Sequence, residues 1–252
     1  MSKKVIIIGG EKGGTGKSTL AVNLSIMLKL MDHDVLLIDS DKQSSSRNFI
    51  SHRNERGIDL TPPCIQILGQ HLRSEIENLA TKYEYIVIDA GGRDSIELRS
   101  AMACAAVSDL YSPIQASEFD LETLSTMDEL TYISSTYNNN LKTHIIFNLC
   151  STHAKSTNTE EAIDVVKSFD NLLVANTKLC HRVAFSYSKS THLSVVEFEL
   201  KKISTLPTYQ AKRYADKASY EICTLYEEIF DEKFNALPLN FLAHSKKEAD
   251  YD

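Results

Sequence analysis

The stretch "KVIIIGGEKGGTGKSTL", Lys4 to Leu20, constrains the fold more than any other part of the chain. Four consecutive β-branched residues, Val5 to Ile8, read as a short strand buried on both faces, and glycines stop it. A helical period then takes over. Leu20, Leu24, Met27, Leu28 and Met31 recur at spacings of three, four and seven, so the spacing predicts a helix from about Lys17 to Met31 with one apolar stripe. A strand that turns through glycines into a helix N-terminus is built to hold phosphate. Small residues let backbone N–H groups close on the anion, and the helix dipole favours negative charge.

The rest of the chain repeats the alternation. "VLLIDSD" and "YIVIDAGG" are buried-strand patterns that end on aspartates, and "DLYSPI", "THIIFNL" and "NLLVANTKL" are further strand candidates. Helical patterns lie near 120–137, 159–169 and 210–230. Strands alternating with helices predict an α/β fold, a doubly wound and mostly parallel sheet with helices on both faces. With 252 residues, 42% hydrophobic and 24% charged, one large domain is expected over 1–234, followed by a flexible polar tail over 235–252.

Composition excludes several classes. No apolar run reaches the length of a bilayer span, and "MSKK" runs directly into the first strand, so neither a membrane helix nor a signal peptide is expected and a cytoplasmic protein is. The acidic "YEEIFDEKF" helix lacks the Lys/Arg face of a membrane-surface helix. Five cysteines without C-x-x-C spacing point to reduced thiols, not to a zinc site or a disulfide framework. The net charge is −7, but it is unevenly spread. From Lys178 to Lys217 eight Lys/Arg face three acids, a local +5 on a body of −12, the pattern of a basic patch for nucleic acid.

Within the loop, Lys17 is placed to reach the β- and γ-phosphates and Ser18 to ligate Mg²⁺. Glu11 stands where the G-x-x-x-x-G-K-[ST] pattern has its first glycine, and a second lysine, Lys12, precedes Gly13–Gly14. Asp89 ends its strand as a Mg²⁺-holding carboxylate does, and Asp39 and Asp41 share a face if their strand stays extended.

K12-G-G-T-G-K-S-T19 resembles the deviant Walker A signature of the ParA/MinD/nitrogenase-iron-protein ATPases, and the resemblance runs from about Val5 to Glu199. It implies ATP as the nucleotide, bound by Glu11, Lys12, Gly13, Gly14, Thr15, Gly16, Lys17, Ser18 and Thr19. Two subunits are then expected to close face to face on ATP, Lys12 crossing to the partner's phosphates, where a cation in trans offsets the charge of the triphosphate. D39-S-D41-K-Q43 resembles the switch I segment, implying Asp41 as the residue that orients the attacking water and Asp39 as support for the metal shell beside Ser18 and Asp89. Lys42 replaces the usual proline there, and D89-A-G-G-R-D94 departs from the commoner switch II. "IIFNLCS" resembles the strand whose terminal asparagine, Asn148, contacts adenine. "HRVAFSYSKSTHLSVVEFE" resembles a stretch near the nucleotide edge and the DNA-binding face, with His192 in place of a glycine.

By that resemblance the chain is expected to be an ATPase of weak intrinsic turnover that segregates DNA. It would be nucleoid-associated in the cytoplasm, bind non-specific DNA as an ATP homodimer, and release it when a centromere-binding, ParB-like adaptor stimulates hydrolysis. Arg182, Lys189, Lys201, Lys202, Lys212, Arg213 and Lys217 are the candidate phosphate contacts, each releasing counterions. With the phosphate loop starting near residue 11, no helix-turn-helix precedes it, and sequence-specific operator binding is not expected. The alternatives are a MinD-like membrane-associated positioning ATPase, a nitrogenase-iron-protein-like reductase, which needs two cluster-bridging cysteines, and a metabolic P-loop enzyme.

Overall fold

A computed structural model describes residues 4–92, 95–117, 122–152, 158–207 and 217–237. Its strands are β1 (Lys4–Ile8), β2 (Val35–Ser40), β3 (Cys64–Gln66), β4 (Tyr85–Ala90), β5 (Asp109–Ile114), β6 (Lys142–Phe147) and β7 (Leu172–Val174). They form one seven-stranded sheet in the order β3-β2-β4-β1-β5-β6-β7, every pairing parallel. Helices α1 (Lys17–Leu30), α2 (Ser45–Glu55), α3 (Leu72–Leu79), α4 (Ile96–Met102), α5 (Leu124–Ser135), α6 (Asn158–Lys167), α7 (Val183–Thr191), α8 (Val195–Thr205) and α9 (Lys217–Phe230) supply the connections.

The strands are apolar throughout because both of their faces are covered. Alternate residues go to opposite cores. Ile6, Ile8, Val35, Leu37 and Val87 pack with α1 and α9 on one side, while Val5, Ile7, Leu36, Ile38, Ile86 and Ile88 pack with α3, α4 and α5 on the other. The expected doubly wound α/β sheet is what the chain forms. At about 1.5–3 kcal/mol for each fully buried aliphatic side chain, these two layers dominate stability.

Two expectations change in detail. The stripe on α1 proves too narrow, since Ala21, Val22, Asn23, Ser25 and Ile26 are buried with Leu20, Leu24, Met27 and Leu28; the helix lies between the sheet, α2 and α8 and is enclosed nearly all round. Packing also continues past residue 234, because Ala236 and Leu237 rest on the core and Asn235 N–H donates to Met31 Sδ at 3.5 Å. The cysteines are free thiols. Among the described residues no helix is long and apolar enough to cross a membrane.

Candidate functional site

β1 delivers the chain to the carboxyl edge of the sheet at its centre, where an open α/β sheet holds ligands. The loop that follows is shaped by close contacts that only glycine permits. At Gly10 (φ +145°) a Cβ would lie 2.3 Å from Ser112 Oγ on β5, and at Gly16 (φ +95°) it would lie 2.4 Å from Asn148 Nδ2. Gly16 caps α1 in the left-handed region, with no side-chain cap and no acid in the first turn. That helix end is thus suited to an anion. Asn148 Nδ2 donates to Thr15 O at 2.7 Å, bracing the loop from β6. Asn148 is expected to touch adenine; here it is buried and its amide supports the loop.

Lys17, almost wholly buried, donates from Nζ to the carbonyl of Lys12, which also accepts from Thr15 Oγ1 at 3.4 Å. Burial pulls the Lys17 ammonium down from its ordinary value, while Asp89 and Asp41 oppose that shift.

β2 and β4 are neighbours with Asp39 opposite Asp89. Asp89 is 1% exposed; Ser46 Oγ donates to its Oδ2 at 2.6 Å and Ser18 hydrogen-bonds the same carboxyl. Burial, with Asp39 and Asp41 adding like charge, pushes it up to about 7, against the two hydroxyls that pull it down. A hydroxyl and a carboxylate side by side are hard oxygen donors of the kind Mg²⁺ takes, and Mg²⁺ fills its other positions with water and phosphate oxygens. Ser18 and Asp89 therefore fit the ion. The described residues hold no cluster of three or more His, Cys, Asp or Glu arranged for a metal, and this kind of site does not need one.

Asp39 has another task. Both of its oxygens accept from backbone, Oδ1 from Asp41 N–H at 3.0 Å and Oδ2 from Arg47 N–H at 2.8 Å. β2 ends at Ser40 and the chain folds straight into α2, so those amides close back on the carboxylate. Asp39 thereby organises this loop and the α2 N-terminus. The bend also removes Asp41 from the strand. Its Oδ1 accepts from Gln43 N–H at 2.9 Å and its carbonyl from Gln66 Nε2 at 3.1 Å. Gly91 and Gly92 let switch II approach: a Cβ at Gly91 would stand 3.0 Å from Asp41 Cγ, and one at Gly92 3.2 Å from Lys17 Nζ.

These parts enclose a cleft of about 720 Å³ lined by Glu11, Gly13, Gly14, Gly16, Lys17, Ser18, Thr19, Asp41, Lys42, Gln43, Ser45, Gly92 and Lys189. Lys12 contributes its carbonyl, and its half-buried side chain is not part of that lining.

Residues 4–184 match the family of the ATPase MipZ. The chain belongs to that family. A chromosome partitioning protein ParA of Myxococcus xanthus is 28% identical over 159 residues, 48% of this chain and 56% of that protein. The sporulation initiation inhibitor protein Soj of Bacillus subtilis is 26% identical over 159 residues, 48% and 62% of the two chains. Each match thus spans less than two thirds of the relative's own length. Among solved structures, the MinD cell division protein of Aquifex aeolicus superposes with a TM-score of 0.67 at 15% identity, covering 94% of this chain and 99% of that one. A plasmid partition protein of Borrelia burgdorferi bound to AMPPNP gives 0.60 at 20%, covering 80% and 100%. Both have this fold.

The matched region ends within the basic segment, whose described members do not all share one place. Arg182 is bound to Glu221 through Nε (3.0 Å) and Nη2 (2.6 Å). With Lys202 and Lys217 it borders a hollow of about 190 Å³. Lys201 is exposed, and Lys189 lines the phosphate cleft. Lys212, Arg213 and Asp94 lie outside the described residues. His192 adopts φ +59°, so the left-handed turn associated with glycine persists with histidine, its ring tilted against those of Phe49 and His52 with centroids 5.3 and 5.1 Å away.

Sequence reading missed the clamp beneath that turn. Arg53, wholly buried, holds Glu197 through Nη1 (2.9 Å) and Nη2 (2.6 Å), His192 O (3.1 Å), Asp59 O (3.1 Å) and Thr61 Oγ1 (3.0 Å). Glu197 also closes the capping box of α8 with Ser194. The capping pattern Ser194-x-x-Glu197 was there to be read; nothing in the sequence named Arg53 as its partner.

Proposed function

We propose that this chain is a DNA-partition ATPase that hydrolyses ATP with Mg²⁺, dimerises on ATP, binds non-specific DNA in the cytoplasm, and responds to a ParB-like adaptor. The observation that carries the reading is the convergence of Lys17, Ser18 and Asp41 on one cleft, with Asp89 hydrogen-bonded to Ser18 behind it. The names of the ParA and Soj relatives support the same direction.

The Lys17 ammonium rests on the Lys12 carbonyl. A triphosphate offers that ammonium a stronger, charge-assisted acceptor, so loading frees the Lys12 peptide. This couples the state of the cleft to the residue expected to cross to a second subunit. Asp41, fixed by Gln43 N–H and by Gln66 on its carbonyl, holds a carboxylate beside Lys17, where an attacking water is oriented and its proton drawn off. Ser18 and Asp89 would hold Mg²⁺, which would supply neutralisation of the charge on the phosphate oxygens. On the DNA side, Lys201 and Lys217 are exposed cations, while Arg182 is committed to Glu221.

The test is DNA retention compared across no nucleotide, ADP and a non-hydrolysable ATP analogue at low salt. Retention only with the analogue is expected; its absence in all three states overturns the DNA reading. Lys12→Ala is expected to bind ATP yet remain monomeric in light scattering, and persistent ATP-dependent dimers would refute the role in trans. Asp41→Ala is expected to trap the ATP form with at least about a hundredfold slower turnover.

A further inference from the structure

The segment expected to meet DNA contains one lysine whose surroundings are different from the rest. Lys189 lines the same cleft as Gly13, Lys17, Ser18, Thr19 and Asp41. It also lines the adjoining chamber of about 210 Å³, which shares Ser18, Thr19 and Ser45 with the cleft and is otherwise walled by groups such as Val22, Phe49 and Leu193. Lys189 therefore stands where the two hollows meet, above the first turn of α1.

Its backbone is fixed there. Arg53 Nη1 donates to His192 O at 3.1 Å and Arg56 Nη1 to Thr191 O at 3.2 Å, so two guanidinium groups, one on α2 and one at its C-cap, grip the end of α7 just beyond Lys189. The helix that makes this grip begins at Ser45, itself a wall of the cleft. Among the described residues no carboxylate pairs with the Lys189 ammonium. A fixed backbone leaves only side-chain entropy to lose on binding, and an ammonium without an ion pair at a phosphate cleft gains by meeting one.

We infer that Lys189 is a nucleotide contact supplied in cis from α7, pairing with a phosphate of the bound nucleotide and not with the DNA backbone. A duplex is too wide to enter a cleft of about 720 Å³, whereas a nucleoside polyphosphate fits it. The assignment rests on the proposed nucleotide-binding role of this cleft and deepens it: α7, which follows the strand edge and leads into α8, senses directly whether phosphate is present.

The experiment is titration of a fluorescent ATP, ADP and AMP series in the absence of DNA. Lys189→Ala is expected to weaken the triphosphate about fivefold, and Lys189→Glu about twentyfold, with the loss shrinking as phosphates are removed. Lys82→Ala, in the exposed turn before β4, serves as the control that leaves all three affinities unchanged. Triphosphate affinities within twofold of the parent for both Lys189 variants, with melting temperatures preserved, overturn the inference. Lys17→Ala separates the two levels: if it abolishes ATP binding while the Lys189 variants do not, only the α7 contact falls, and if Lys17→Ala also binds ATP normally, the nucleotide-binding reading of the cleft falls with it.

Discussion

The two edges of the central sheet treat the same residue type in opposite ways. At the carboxyl edge Asp89 is buried among like charges and hydroxyls, and its carboxyl is held near neutrality. At the amino edge Asp109 is buried too, yet its carboxyl sits well below the ordinary range. Burial alone would raise it; the His144 ring at 3.0 Å, the Ser108 hydroxyl and Lys4 Nζ at 3.1 Å outweigh burial. Lys4 continues to Ile229 O at 2.6 Å, and His144 stacks on Tyr111 at 4.8 Å. One edge is closed by its own partners. The other keeps a carboxylate, a hydroxyl and an amine poised for a ligand, and gives up stability in doing so.

The largest effect in this contrast is expected at the carboxyl edge, from a single methyl group. Gly16→Ala must place Cβ at φ +95° against the amide that braces the loop. We expect a loss of about 3 kcal/mol in stability and at least a hundredfold in nucleotide affinity. Gly13 has open space around its would-be Cβ and no positive φ, so Gly13→Ala is expected to change stability by less than about 0.5 kcal/mol. Equal melting temperatures for the two variants would break the comparison.

How much of this was legible beforehand follows the same division. The buried strands, α1 and the glycine loop were readable because continuous β-branched runs, a 3.6-residue period and glycine spacing are local signals. Lys17, Ser18, Asp41 and Asp89 reach one site because parallel strands deliver their ends to one edge. The three-residue β3 carries too few residues to show a period, and it was missed. Whether Asp39 and Asp41 share a face depended on the strand staying extended, which spacing alone does not decide, and β2 stops one residue before Asp41. Lys189 was assigned by composition, which counts charges without saying which way α7 turns them. Arg53 gave no signal, since pairing with Glu197 across 144 positions is a fact of packing alone.

A second way to sharpen the contrast is to neutralise Asp89. Its folded carboxyl titrates near 7, whereas an unfolded aspartate titrates near about 4, so between those values the native state holds a proton that the unfolded chain lacks. Stability of the metal-free protein should therefore fall as pH rises through that window. Asp89→Asn keeps the shape and removes the titration, so at about pH 8 the variant is expected to be more stable by on the order of 2 kcal/mol while losing Mg²⁺-dependent hydrolysis. Urea unfolding with chelator at several pH values checks the sign. A less stable variant at high pH would mean that this edge is not held in strain.

At the amino edge the same substitution should do the reverse, and by a smaller amount. Asp109 has a depressed folded carboxyl, so its contribution is complete above the unfolded value near about 4 and disappears as pH falls through the lower folded one. Asp109→Asn leaves Lys4 without its carboxylate and weakens the link to His144, at a cost of about 1–2 kcal/mol near neutral pH, discounted because Lys4 is partly solvated. The variant should also lose less stability than its parent on acidification, while nucleotide affinity stays unchanged because no part of this cluster lines the cleft. Paired urea titrations and nucleotide titrations distinguish the outcomes. If Asp109→Asn weakened ATP binding as much as it weakened the fold, the two edges would be energetically joined through β1 and β5, and the closed edge would belong to the function as well.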